Sequence, residues 1–338
     1  MRTLICSSPG HFDYHEAKPP DMLADHALIR IRRVGICGTD LHAFEGTQPY
    51  FKYPRILGHE LSAEIIDIAE NSDFKKGDSV TIVPYFYCGA CIACRMGNPN
   101  CCVNLRVFGV HIDGGMSEFV TVPTYSLVGG DGLSTESLAL IEPLAIGAHA
   151  VQRAAIKPNE FVLVIGAGPI GLGTMEFARV AGGKIIALDI NEARLAFCKE
   201  KLKIIHTING LSDNIIEKLK EITGGDMPTV VMDATGSLKA INSAFSYMAH
   251  TARYVLIGLQ KESISFIHPE FHKREATLMS SRNALREDFE QVIASMKKGI
   301  VNPETYITHR VKFAEVKSEF PGWLVPGKGM IKTMVDLD

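Results

Sequence analysis

Five of the chain's eight cysteines fall within the eighteen residues Tyr85–Cys102, "YFYCGACIACRMGNPNCC". Cys88, Cys91 and Cys94 follow a CxxCxxC spacing, and either Cys101 or Cys102 can supply a fourth thiolate. Four thiolates from one loop close a tetrahedron around zinc and leave no open position, so such a metal would be structural. Gly89, Gly97, Asn98 and Pro99 permit the tight turns this wrapping needs. A cluster of reduced thiols without metal is the competing reading. A second set of ligating types is spread more widely. "GICGTDLHAFEG" (35–46) carries Cys37, "LGHELSAEI" (57–65) carries His59 and Glu60, and "IEPLAIGAHAV" (141–151) adds Glu142. Sulfur, imidazole and carboxylate with one position left for water make the donor set of a catalytic zinc. Taken singly, Cys37 would be a small buried hydrophobe and His59 a satisfied turn residue.

A third stretch suits a nucleotide. "EFVLVIGAGPIGLGTMEFARVAGGKIIALDI" (160–190) reads as a buried strand, a glycine turn, a helix and a second buried strand. Gly166, Gly168 and Gly171 form GxGxxG with Pro169 and Ile170 between the last two. They give the tight turn, the close approach of backbone to a pyrophosphate and the packing of helix on strand. The helix N-terminus offers free N–H groups to the phosphates. Asp189 ends the second strand, where a carboxylate accepts from ribose hydroxyls and repels a 2′-phosphate, favouring NAD over NADP. Arg194 is the nearby residue that could serve a 2′-phosphate instead.

These residues need two different frameworks. "TVVMDATG" (229–236) and "ARYVLIGL" (252–259) continue the strand pattern, with a helical segment, "SLKAINSAFSYMA", between them. Alternating strands and helices predict an α/β, doubly wound parallel sheet over 147–282. Ligands sit at the carboxyl ends of such strands, which brings Thr235, Ile257, Gly258 and Leu259 to the cofactor. Residues 1–146 instead show short apolar runs broken by Gly, Pro and Asp: "HALIRIRRVGICGTD", "LSAEIIDIAE", "DSVTIVPY" and "SEFVTVP". They predict a mostly β domain with a metal lobe at 85–103. A helix is expected over 281–301, and 327–338 is expected to be a terminal strand rejoining the first domain.

Composition narrows the class. With 338 residues, 46% hydrophobic content and a net charge of −3, the chain is sized for two domains and gives no electrostatic case for nucleic acid or a membrane surface. The N-terminal "MRTLICSSPG" does not read as a signal peptide, and a cytoplasmic location is expected. Cytosolic thiols stay reduced, which argues for metal over disulfides.

The pieces "GICGTDLH", "GHE", "CGACIACRMGNPNCC", "DGGMSEF", "EPLA" and "GAGPIGL" together resemble the zinc-dependent medium-chain dehydrogenase/reductase family, which contains alcohol, sorbitol and threonine dehydrogenases. The resemblance spans nearly the whole chain. It implies a GroES-like β catalytic domain over 1–146, completed by 283–338, a Rossmann domain over 147–282, and a cofactor and catalytic zinc that meet in the cleft between them. It selects Cys102 as the fourth structural ligand and leaves Cys101 spare. It makes Cys37 and His59 catalytic-zinc ligands, with either Glu60 or Glu142 as the third, and gives two zinc ions per subunit. Asp40 would orient a ligand imidazole, while Thr39 and His42 would relay the proton of a secondary alcohol to solvent as its hydride passes to NAD. Glu142 in place of cysteine leans toward polyol or sugar-derived substrates. "SSRNALREDFEQVI" resembles bacterial relatives that oxidise hexonates such as L-galactonate or L-gulonate. Arg282 could pair with a substrate carboxylate, or it could make a cofactor or domain-interface contact. A threonine dehydrogenase and a non-catalytic NAD-binding protein are the competing functions. A homotetramer is expected, with a homodimer next.

Overall fold

The computed structural model describes residues 1–49, 51–69, 72–130, 132–325 and 329–338. The chain forms two compact units, Met1–Pro143 with Leu285–Asp338, and Leu144–Ala284. Sequence patterning places the boundaries at 146/147 and 282/283. In the structure the first falls inside the helix Ile141–Ala154, whose opening turn belongs to the first unit.

The first unit is built on a seven-stranded sheet. Its path runs Leu127–Gly129, Ser79–Ile82, Glu60–Ile68, His26–Gly35, Lys332–Asp336 and Ile307–Lys312, with Phe119–Pro123 also pairing His26–Gly35. The short β-branched runs therefore become strands as their alternation predicts. His26–Gly35 alternates buried and half-buried residues, sending Ala27, Ile29 and Ile31 into the core with Leu61, Ile65 and Val80. Both central neighbours of His26–Gly35 run antiparallel to it, with Gly35 opposite Glu60 and Met334 opposite Gly35. One strand's end and two strands' beginnings thus meet at one place. The expected terminal strand is observed as Lys332–Asp336, and residues 327–328 of that stretch lie outside those described. The ribbon of Tyr85–Phe86 and Arg106–Val107 carries the cysteine lobe between its arms.

The second unit is the expected parallel sheet. Its order is His206–Asn209, Lys184–Asp189, Phe161–Ile165, Val230–Asp233, Arg253–Leu256 and Thr277–Ser280, all neighbours parallel. Numbered along the chain within this unit, that is 3-2-1-4-5-6, the dinucleotide-binding order. Leu163, Ile165, Ile186, Val231 and Tyr254 fill its core. The helix expected over 281–301 is shorter, Arg286–Lys297. Asn283 has φ 54°, which breaks helical continuity before it, and the Asp288 carboxylate accepts from the Leu285 N–H at 2.7 Å to start the helix there.

Gly166 holds φ 96° where Phe161–Ile165 turns into the helix Pro169–Val180. A Cβ on Gly171 would collide with the Gly166 carbonyl oxygen. Gly171→Ala is therefore expected to destabilise the protein by about 1–3 kcal/mol. Chemical denaturation checks this, and an unchanged midpoint would show that the turn can yield.

Candidate metal centre and cofactor site

The four-cysteine lobe has almost no apolar interior. Of its thiols only Cys102 is buried, and the loop is shaped by the short helix Ile92–Arg95 and the turn Pro99–Cys101. The Sγ atoms of Cys88, Cys91, Cys94 and Cys102 all lie within 4.8 Å of one another. Cys91 to Cys94 is 3.5 Å, Cys91 to Cys102 is 3.8 Å and Cys88 to Cys102 is 3.5 Å. Zinc–sulfur bonds of ~2.3 Å in a tetrahedron set sulfurs roughly 3.8 Å apart, so the cage has the size of that ion. Backbone N–H groups point into it: those of Cys88 and Asn104 reach Cys102 Sγ at 3.3 and 3.4 Å. N–H donors at Cys94 and Val103 draw the Cys91 thiol down to about 6, while partial burial and the neighbouring thiols Cys91 and Cys102 push Cys94 up to about 12. Cys101 is exposed and outside the cage.

The second cluster forms where the three central strands of the first unit meet. Ligand atoms of Cys37, His59 and Glu60 lie within 4.8 Å of one another. His59 is 5% exposed and Glu60 is 0% exposed. Gly35 makes room for this: a Cβ there would strike Glu60 Oε2. Asp40 is fully buried and ties together the two loops that carry Cys37 and His59. It accepts from the Cys37 N–H at 2.9 Å and the Gly58 N–H at 3.2 Å. Its Oδ1 faces His59 Nδ1 at 3.8 Å, too far for a hydrogen bond. His59 Nδ1 is buried with no hydrogen-bond partner among the described residues. Burial opposes charge on His59, but Asp40, Cys37 and Glu142 around it raise its pKa well above the ordinary imidazole value. Thiol, imidazole and carboxylate converging in a buried, anionic site suit a divalent cation.

Glu142 lies beside this trio but outside it. Burial pushes its carboxyl up to about 7, with His59 opposing and Glu60 adding to the rise. The Tyr85 hydroxyl donates to its Oε1. Glu60 is provided for differently: the Lys332 ammonium donates to both its oxygens at 2.6 Å and to the Ile36 carbonyl at 3.0 Å. Sequence reading missed Lys332 and Tyr85. A single lysine amid the apolar "GMIKTMV" was the available signal for the first, and nothing local marks the second. Thr39 and His42 share the helix Gly38–Glu45, yet no hydrogen bond joins their side chains among the described residues. The His42 ring is well exposed and contacts Glu45 at 3.4 Å and Thr47 at 3.3 Å.

In the second unit, Gly168 caps the helix Pro169–Val180, and a Cβ on it would meet nothing nearer than the Arg194 guanidinium at 3.9 Å. The turn is open to a ligand, with Pro169 and Ile170 half-buried at the helix start. Asp189 ends its strand and accepts from the Ala167 N–H at 2.6 Å and the Asn191 N–H at 2.8 Å. A carboxylate has roughly four acceptor sites, so capacity remains for ribose hydroxyls. Thr235 hydrogen-bonds Asp233, and the Ile257 and Gly258 N–H groups donate to the Asp233 carbonyl, at the carboxyl ends of adjacent strands. Leu259 beside them is 66% exposed. Arg282 is exposed just beyond Thr277–Ser280.

Residues 23–130 match the alcohol dehydrogenase GroES-like domain, and residues 169–298 match the zinc-binding dehydrogenase domain. The L-galactonate-5-dehydrogenase of Escherichia coli K12 is 40% identical, over 99% of this chain and 98% of its own. The sorbitol dehydrogenase of Halalkalibacterium halodurans is 31% identical over 90% of each. The crystal structure of the alcohol dehydrogenase RspB of Escherichia coli CFT073 with NADH aligns at a TM-score of 0.93 and 30% identity, covering 100% of this chain and 99% of that one.

In protein stripped of metal, Lys332→Met would leave Glu60 buried without a counter-charge, and is expected to cost about 3–5 kcal/mol in denaturation experiments, partly recovered by adding Glu60→Gln. A loss under ~1 kcal/mol would mean the pair is wet in solution. Elemental analysis separates the two adjacent cysteines: Cys102→Ser should lose one zinc per chain and Cys101→Ser none. The reverse result would move the ligand to Cys101.

Proposed function

Because the chain belongs to the zinc-binding alcohol dehydrogenase family, we propose that it is an NAD-dependent enzyme that oxidises a secondary hydroxyl of a polyol or sugar acid, with a hexonate such as L-galactonate or L-gulonate as the leading substrate. The observation that carries the reading is the convergence of a half-buried Cys37 with the buried His59 and Glu60. Full-length similarity to an L-galactonate-5-dehydrogenase supports the substrate class, and similarity to an NADH-bound relative, with Asp189 at its strand end, supports NAD.

Cys88, Cys91, Cys94 and Cys102 hold a structural zinc, and Cys37, His59 and Glu60 hold a catalytic one, with Glu142 beside them as the alternative third ligand. Bound there, zinc supplies a Lewis acid that makes an alcohol hydroxyl acidic near neutral pH, and NAD supplies the hydride acceptor. Asp40 keeps Cys37 and His59 in place by bracing their backbones. Thr39 takes the alcohol proton and His42, exposed on the same helix, passes it to solvent. Gly166, Gly168 and Gly171 seat the pyrophosphate, with Pro169 and Ile170 at the helix start. Asp189 takes the ribose, with Arg194 nearby as the residue that would serve a 2′-phosphate were NADP the cofactor, and Thr235, Ile257, Gly258 and Leu259 lie along the dinucleotide. Arg282 pairs with the substrate carboxylate.

NAD reduction by the zinc-loaded protein across L-galactonate, L-gulonate, L-idonate, sorbitol, galactitol, L-threonine and simple secondary alcohols tests the proposal. A hexonate is expected to be best. Threonine as best substrate would make the protein a threonine dehydrogenase, and silence across the panel would refute an enzymatic role of this kind. Arg282→Ala is expected to lower kcat/KM for the hexonate roughly 10–150-fold, the ~1.5–3 kcal/mol of a charged hydrogen bond, and to spare neutral polyols.

A further inference from the structure

The two buried carboxylates at the metal centre are held in opposite ways. Glu60, 0% exposed, has both oxygens on a cation, Lys332. Glu142, 4% exposed in the opening turn of the helix Ile141–Ala154, is held by a neutral donor, the Tyr85 hydroxyl. A phenol has one proton to give, and here it goes to Glu142 Oε1. The bond fixes the carboxylate's direction without cancelling its charge, whereas an ammonium cancels the charge it binds.

Tyr85 is itself rigidly mounted. It is 3% exposed, its ring stands edge-on to Phe289 with centroids 6.4 Å apart, and its backbone pairs with Val107. Tyr85–Phe86 and Arg106–Val107 are the two arms from which the four-cysteine lobe hangs. The lobe thus fixes a ribbon, the ribbon fixes a phenol, and the phenol fixes a carboxylate at the other metal site.

We propose that Tyr85 is a positioning residue of the catalytic metal centre, acting through its hydrogen bond to Glu142. The proposal rests on the zinc-centre reading given above. A hydrogen-bonded partner behind a metal-site group typically contributes about 10–100-fold in metal affinity or activity.

The test uses full-length protein with cobalt(II) exchanged into its metal sites. Tyr85→Phe removes only the hydroxyl. It is expected to shift the visible cobalt absorption of the Cys37–His59 site and to speed loss of that metal to a chelator about 10–100-fold, leaving NAD affinity and the four-cysteine metal unchanged. In a Glu142→Gln background the same substitution should add little, because the two act as one unit. If the cobalt spectrum and release rate of Tyr85→Phe match the parent, Tyr85 only fills space and the proposal is wrong. If Tyr85→Phe has its full effect in the Glu142→Gln background, it does not act through Glu142, and the proposal is again wrong. A parent protein that takes up only one cobalt per chain would overturn the zinc-centre reading itself, an outcome visible before any variant is made.

Discussion

Burying Lys332 against Glu60 is costly, and the way the fold meets that cost organises the first unit. Each buried ion forfeits several kcal/mol of hydration, repaid only where the geometry is complete. Here it is complete: the three ammonium protons meet the two Glu60 oxygens and the Ile36 carbonyl. That arrangement requires the antiparallel register that sets Gly35 opposite both Glu60 and Met334, and it requires Gly35 to lack a side chain. The same register delivers Cys37 two residues beyond Gly35 and His59 one residue before Glu60. The metal ligands are therefore by-products of one pairing of strand ends, with Asp40 fastening the loops on either side.

The second unit obeys a simpler constraint. The Gly-rich turn is closed by contact between Gly171 and the Gly166 carbonyl, and Asp189 on the neighbouring strand holds the Ala167 N–H. One carboxylate thus shapes the turn and also stands at its strand end, where the sheet order 3-2-1-4-5-6 opens toward a dinucleotide. The geometry is local and repeats along the sheet, which is why it survives as a readable sequence pattern.

Legibility followed that difference between local and distant causes. The cysteine spacing, the glycine turn and the alternation of strands announce themselves within a few residues, and both sheets appear as those patterns predict. Lys332 could not be read this way, because its partner is 272 positions earlier and only strand register joins them. Tyr85 was equally silent, 57 positions from Glu142. Asp40 was expected to orient an imidazole, yet its strongest contacts are to backbone N–H groups, a use that residue type does not reveal. The helix expected from 281 starts at Arg286 because a left-handed Asn283 intervenes, a choice that periodicity does not register.

The strand Lys332–Asp336 lies inside the first sheet, between His26–Gly35 and Ile307–Lys312, although the whole second unit precedes it in the chain. A ribosome must therefore translate the whole of Leu144–Ala284 while the Arg33–Gly35 end of His26–Gly35 waits for its partner, the His26–Arg30 end being already paired with Phe119–Pro123. At ~5–20 residues per second that wait lasts on the order of ten seconds or more. Throughout it Glu60 has no ammonium, and the short Arg33–Gly35 stretch of sheet edge stays open to pairing with other chains. The dinucleotide-binding unit, contiguous in sequence, can fold meanwhile. The metal centre would then close only after Lys332 has emerged, once the second unit has had time to fold.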